Sequence, residues 1–81
     1  MFNKDASVDL YYNNSKKLAT TSIGVDVTGN VSLPDNGKAT FGAGNDLQIY
    51  HSGTASVIKD VGTGSFEIQT NGSEIQLTGN A

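Results

Sequence analysis

The chain has 81 residues, five of them Lys and eight acidic, for a net charge of -3. That balance gives no basic surface on which a nucleic-acid backbone condenses, so nucleic acid is not an expected partner. No apolar run approaches the roughly 20 residues of a membrane helix and the N-terminus has no apolar h-region, so the expectation is a soluble chain without membrane insertion or a Sec-type export signal.

With no cysteine, neither a disulfide framework nor a thiolate metal site can reinforce the fold. A lone chain of this size buries only roughly 60 to 65% of its unfolded surface, which leaves a thin core, and oligomerisation is the remaining common remedy. Ten Gly against one Pro, with abundant Asn, Thr and Ser, describes many turns between short β-branched segments. No stretch sustains a 3.6-residue apolar period, so the expected class is all-β, a meander of short β-hairpins with almost no helix.

In chain order, residues 1–7 carry no pattern and read as a disordered or partner-contacting end. Residues 8–81 read as one repeat-containing domain, with units at about 8–41 and 42–81. Val8, Leu10 and Tyr12 alternate with Asp9 and Tyr11; a three-residue Asn13-Asn14-Ser15 loop then sets Tyr12 opposite Lys16 and Leu10 opposite Leu18. Ile23, Val25 and Val27 form the next strand, and a turn at Thr28-Gly29-Asn30 brings Val27 near Val31 and Val25 near Leu33. Gly37 is expected in the left-handed position of an Asp35-Asn36-Gly37 loop, which faces Leu33 to Ala39 and Val31 to Phe41; side-chain parity disfavours a two-residue Asn36-Gly37 loop.

After the Gly42-Ala43-Gly44-Asn45 turn, Leu47, Ile49 and His51 lead into a Ser52-Gly53-Thr54 loop that sets Ile49 against Val57. Leu10-Tyr11 and Ile49-Tyr50 then hold equivalent places in an internal repeat, offset by 39 residues at its start and 44 at its end, where Val31 and Leu33 match Ile75 and Leu77. Parity leaves the register between Val57 and Phe66 open. The last hairpin turns at Asn71-Gly72, a preferred type I′ pair, with Ile68 opposite Ile75 and Phe66 opposite Leu77.

Candidate chemistry is sparse. His51 is the single histidine, and no nucleophile, base and orienter assemble around it in the pattern, so an enzyme is not expected. In a three-fold assembly, copies of His51 converging on the axis form a candidate metal or anion site; the competing reading is a strand-end histidine that is solvated or hydrogen-bonded. Gly42-Ala43-Gly44 and Gly62-Thr63-Gly64 contain the Gly-x-Gly of phosphate loops, but neither opens a helix and no P-loop lysine follows, so both read as turns and no cofactor is implied. Asp35, Asp46 and Asp60 stand beside turns without the Asp-x-Asp-x-Asp series of a calcium loop, which suits turn hydrogen bonding. Tyr11 and Tyr50, with Tyr12, offer rings on which the apolar face of a sugar stacks. Their equivalence in the repeat gives Tyr11 and Tyr50 a structural reading as well.

The runs Leu10 to Leu18, Thr20-Thr21, Gly24 to Gly29, Phe41 to Gly53 and Ile58 to Gly64 resemble repeats in tail-fibre and related structural proteins of marine and cyanobacterial bacteriophages. The resemblance extends from Val8 to about Leu77. It implies a β-rich trimeric fibre segment made in the host cytoplasm and assembled on the virion with other virion proteins, receptor binding lying at distal tips. Such fibres are far longer than this chain, which fits an excised or short version with Met1 as an added start.

Pattern and resemblance agree on a homotrimer, an intertwined β-helix or β-prism. Its expected core is Val25, Val27, Leu33, Phe41, Leu47, Ile49, Phe66, Ile68, Ile75 and Leu77, each contributing roughly 1.5 to 3 kcal/mol when fully buried. The competing class is a small β-sandwich that binds host surface glycan through Tyr11 and Tyr50.

Overall fold

The computed structural model describes residues 5–80, which form two antiparallel three-stranded sheets and no helix, an all-β chain as expected. One sheet belongs to the unit Met1–Leu33 and the other to the unit Pro34–Ala81. Of the expected N-terminal end, residues 1–4 lie outside the described residues, and 5–7 form no strand.

The first sheet runs β1 (Asp9–Tyr12), β2 (Ser15–Thr20) and β3 (Val25–Val27), with β2 in the centre. Asn13 and Asn14 both take positive φ, 51° and 66°, which is the two-residue type I′ turn whose twist suits a hairpin. The loop is therefore one residue shorter than the sequence suggested. Leu10 does face Leu18, but Tyr12 faces Ser15 and Tyr11 faces Lys16. Tyr11 and Tyr12 separate Leu10 from the turn, whereas Ser15, Lys16 and Lys17 separate it from Leu18. The surplus residue, Lys17, is absorbed by a β-bulge where the register shifts between Leu10 and Tyr11.

β3 pairs back onto β2, Leu18 with Val27 and Thr20 with Val25, and no strand forms at Val31 to Leu33. The hairpin expected at Thr28-Gly29-Asn30 is displaced by a tighter one at Thr21–Gly24. There the Thr21 N–H donates to the Gly24 carbonyl at 2.7 Å, and Thr21 Oγ1 accepts the Ile23 and Gly24 N–H groups at 3.2 and 3.0 Å. Ile23, expected in the strand, sits in this turn, 96% exposed.

The second sheet runs β4 (Lys38–Phe41), β5 (Leu47–His51) and β6 (Ser56–Asp60), with β5 central. It is entered through a turn closed by the Gly37 N–H on the Pro34 carbonyl at 2.8 Å, in which Asn36 and not Gly37 takes the left-handed conformation, φ 65°. Positive φ at that third position is the mark of a type II turn, which Asn tolerates. Phe41 pairs forward with Leu47 across the Gly42–Asn45 turn, in place of the expected contact with Val31. The reason is that the chain near Val31 is not in a ladder, while Phe41 and Leu47 share a short loop and a face.

Between β5 and β6 the loop is again shorter than expected. Gly53 has φ 102° at the first of two central positions, as a type II′ turn requires, and the Ser52 N–H donates to the Ala55 carbonyl at 2.8 Å. Pairing shifts by one residue, so Ile49 faces Ile58 and Tyr50 faces Val57. Ser52 Oγ also accepts the Ala55 N–H at 3.1 Å, repeating the hydroxyl-closed turn of Thr21.

From Gly62 to Asn80 the described residues form no strand, which corrects the expected last hairpin: neither Ile68 with Ile75 nor Phe66 with Leu77 is paired. Asn71 and Gly72 lack the positive φ of a type I′ pair. The Thr70 hydroxyl instead accepts the Gly72 N–H at 3.0 Å, a local bond that competes with the hairpin turn.

Candidate functional site

Alternation along the strands sorts the second sheet into two faces. Ala39, Phe41, Leu47, Ile49 and Ile58 share one, with His51, Ser56 and Asp60 at its margins; Lys38, Thr40, Gln48, Tyr50, Val57 and Lys59 share the other. The first face is apolar across all three strands, yet Phe41 is 50%, Ile49 41% and Ile58 59% exposed. No side chain among the described residues is fully withdrawn from solvent. A row of large apolar groups at such exposure is a surface suited to burial against a partner.

The first sheet repeats the arrangement on a smaller scale. Leu10, Leu18, Val25 and Val27 share a face, and Leu18 is half-buried at its centre. On the opposite face Lys16 Nζ lies 3.3 Å from Asp9 Oδ2, while Asp9 Oδ1 is buried and has no donor among the described residues. Exposed ion pairs of this kind contribute at most about 1 kcal/mol.

Of the residues expected in a trimer core, Leu47 is half-buried and Val25, Val27, Leu33, Phe41, Ile49, Phe66, Ile68, Ile75 and Leu77 are exposed. The sheets unite Phe41, Leu47 and Ile49 on one face and Val25 and Val27 on another. Leu33, Phe66, Ile68, Ile75 and Leu77 lie outside any ladder. The three-residue loop expected at Ser52-Gly53-Thr54 leaves Ile58 out of the apolar set, whereas the two-residue turn pairs it with Ile49 on that face. Gly at the first central position of a two-residue loop was the signal that places it.

His51 stands at the margin of the apolar face, exposed, its Nδ1 2.9 Å from Ser56 Oγ on the paired strand. Its backbone carbonyl accepts the Asn36 N–H at 2.7 Å, which ties the entry turn to β5. Among the described residues no three His, Asp or Glu side chains come together in a manner that holds a metal ion. Tyr50 is half-buried, and the Lys38 ammonium, directly across the ladder, sits 4.8 Å from its ring centre. A cation over the ring occupies the π face that a sugar needs. Tyr11 is the more open of the two candidate stacking residues, at 61% exposed.

The Gly-x-Gly segments behave as turns. Gly42-Ala43-Gly44 closes through the Asn45 N–H on the Gly42 carbonyl at 3.1 Å. Asp60 Oδ1 accepts the Gly62 N–H at 3.0 Å, the turn-bonding role expected of that carboxylate. Asp46 has a different setting. A Cβ at Gly62 would fall 2.9 Å from its Cγ and 3.0 Å from its Cβ, and one at Gly44 would fall 2.9 Å from Oδ1. Two glycines thus make room for one side chain at the start of β5.

Comparison with protein-family models, curated proteins and solved structures finds no match to this chain.

Proposed function

We propose that the chain is a structural fibre segment of a bacteriophage virion, part of a tail-fibre or appendage shaft. Three copies wrap a common axis as an intertwined β-helix or β-prism. It performs no catalytic step and takes no cofactor, and its partners are its own copies and other virion proteins. The observation that carries this reading is the apolar face of the second sheet, where Phe41, Ile49 and Ile58 stand in solvent on a single chain. Burying such a face stabilises an assembly by about 25 cal/mol per Å² of apolar area removed from water. The sequence resemblance to phage fibre repeats supports the viral part of the reading.

Light scattering tests the assembly: the purified chain is expected at three times 8.4 kDa. Phe41→Asp, on the apolar face, is expected to release single chains, whereas Thr40→Asp, on the opposite face of the same strand, is expected to leave the mass unchanged. A folded, stable monomer from the unaltered chain rejects the assembly. The virion part is tested by an antibody against the chain, expected to label appendages of phage particles from the same source; unlabelled particles reject it.

A further inference from the structure

Among the described residues β6 is an edge strand whose outward backbone groups have no partner. The ladder between β5 and β6 is bracketed by hydrogen-bonded pairs, Ser52 N–H to the Ala55 carbonyl at 2.8 Å and Val61 N–H to the Asp46 carbonyl at 2.7 Å. Antiparallel pairs alternate between bonded and non-bonded, so Val57 and Lys59 turn their N–H and C=O groups toward β5. Ser56, Ile58 and Asp60 turn theirs outward, to the free edge. Such an edge is a template for another strand.

The chain also carries a segment of alternating character outside any sheet. Ser65 and Gln69 both donate to the Glu67 carboxylate, contacts two residues apart that place Ser65, Glu67 and Gln69 on one side of an extended segment. Phe66 and Ile68 project from the other side. In the first unit, the β1–β2 hairpin corresponds by sequence repeat to the β5–β6 hairpin. There the outer edge of the second strand is occupied by β3, with Val25 and Val27 on the face of Leu18. In the second unit the equivalent edge is open.

We propose that the outer edge of β6 receives the Ser65–Gln69 segment of a second copy of this chain as an antiparallel fourth strand. The pairing sets Ile58 opposite Ile68, Lys59 opposite Glu67 and Asp60 opposite Phe66. Ile58 and Ile68 then extend the apolar face, and Lys59 and Glu67, opposite in charge, meet in a non-hydrogen-bonded pair, where facing side chains come closest. A fold-back of the same chain is disfavoured by its exit. Val61 is bonded to Asp46, and Gly62 packs against the Asp46 side chain, so the chain leaves toward the β5 side of the strand end and away from the outer edge. This contact rests on the self-assembly proposed above and specifies where one copy grips the next.

The chain has no cysteine of its own, which makes disulfide trapping clean. Lys59→Cys and Glu67→Cys are made in separate chains, mixed, and oxidised with oxidised glutathione. A disulfide-linked pair of chains at twice the single-chain mass is expected, with Lys59→Cys plus Ile68→Cys, one residue out of register, linking several-fold more slowly. If the mixture yields no link while a single chain carrying both Lys59→Cys and Glu67→Cys closes a bond within itself, the segment folds back on its own sheet and the proposal is overturned. No link in either case, with light scattering still reporting an oligomer, overturns this contact and leaves the assembly standing. A monomer in light scattering overturns both.

Discussion

Asp46 and its two glycines show how far one carboxylate can fix local sequence. Its side chain fills the space where a Cβ on Gly62 would stand, 2.9 to 3.0 Å from its Cγ and Cβ, distances no real Cβ tolerates without a shift. Because the clash is with atoms near the root of the side chain, rotation of Asp46 about its outer bonds gives little relief. Gly62→Ala is therefore expected to destabilise by about 1 to 3 kcal/mol, the range for forcing a group into filled space. Gly72→Ala is the contrast: its Cβ would meet only Thr70 Oγ1 at 3.6 Å, and its φ is not positive, so the change is expected to be neutral or mildly stabilising. Thermal melts of the two variants check the difference, and Asp46→Gly in the Gly62→Ala background should recover most of the loss if the clash is its origin.

At the scale of elements, the two hairpins that carry the internal repeat differ by one residue, and each solves the difference in its own way. Three residues flank the Gly53-Thr54 turn on either side before Ile49 and Ile58, so that ladder is regular. Only two precede Asn13-Asn14 after Leu10, against three before Leu18, and the bulge takes up the surplus. Deleting Lys17 is then expected to remove the bulge while keeping Leu10 opposite Leu18, with a stability change within about 1 kcal/mol. Deleting Val57 from the regular ladder moves Ile58 out of register with Ile49 or forces a new bulge, and is expected to destabilise by more than 2 kcal/mol, since a one-residue slip reverses which face each side chain occupies. Melts and cross-strand Hα contacts by NMR distinguish the two deletions.

The same hairpins show what could be read beforehand. Alternation identifies β1, β3 and β5, because the period of two is written directly in Leu10, Val25, Val27, Leu47 and Ile49. Registers were read less well. Asn13-Asn14 closes a two-residue turn through positive φ at both residues and Gly53-Thr54 through positive φ at Gly53, a backbone property that apolar alternation does not carry and only the turn residues themselves signal. The final segment misled for a related reason. Its alternation and its Asn71-Gly72 pair both suggest a hairpin, but Thr70 offers its hydroxyl to the Gly72 N–H and the type I′ conformation does not form. Alternation there describes an extended segment with one apolar side, and pairing depends on what edge it meets.

For the whole molecule, the proposed assembly links folding to concentration. A single chain leaves about half of the surface of Phe41, Ile49 and Ile58 in water, so in the proposed assembly about half of the stabilisation available to these side chains arises when copies meet. If three chains fold and associate together, stability per chain rises by two-thirds of RT ln 10, about 0.9 kcal/mol, for each tenfold rise in chain concentration. For a domain of this size 1 kcal/mol moves the melting temperature by about 4 to 8 °C, so a tenfold rise should raise it by roughly 4 to 7 °C. Melts followed by circular dichroism over a hundredfold range of concentration measure this slope directly. Phe41→Asp, which places a charge in the shared face, is expected to flatten it, and Thr40→Asp is expected to leave it intact. A melting temperature independent of concentration in the unaltered chain would mean that each copy reaches its stability alone, and the exposed apolar row would then have to be explained by a partner other than a second copy.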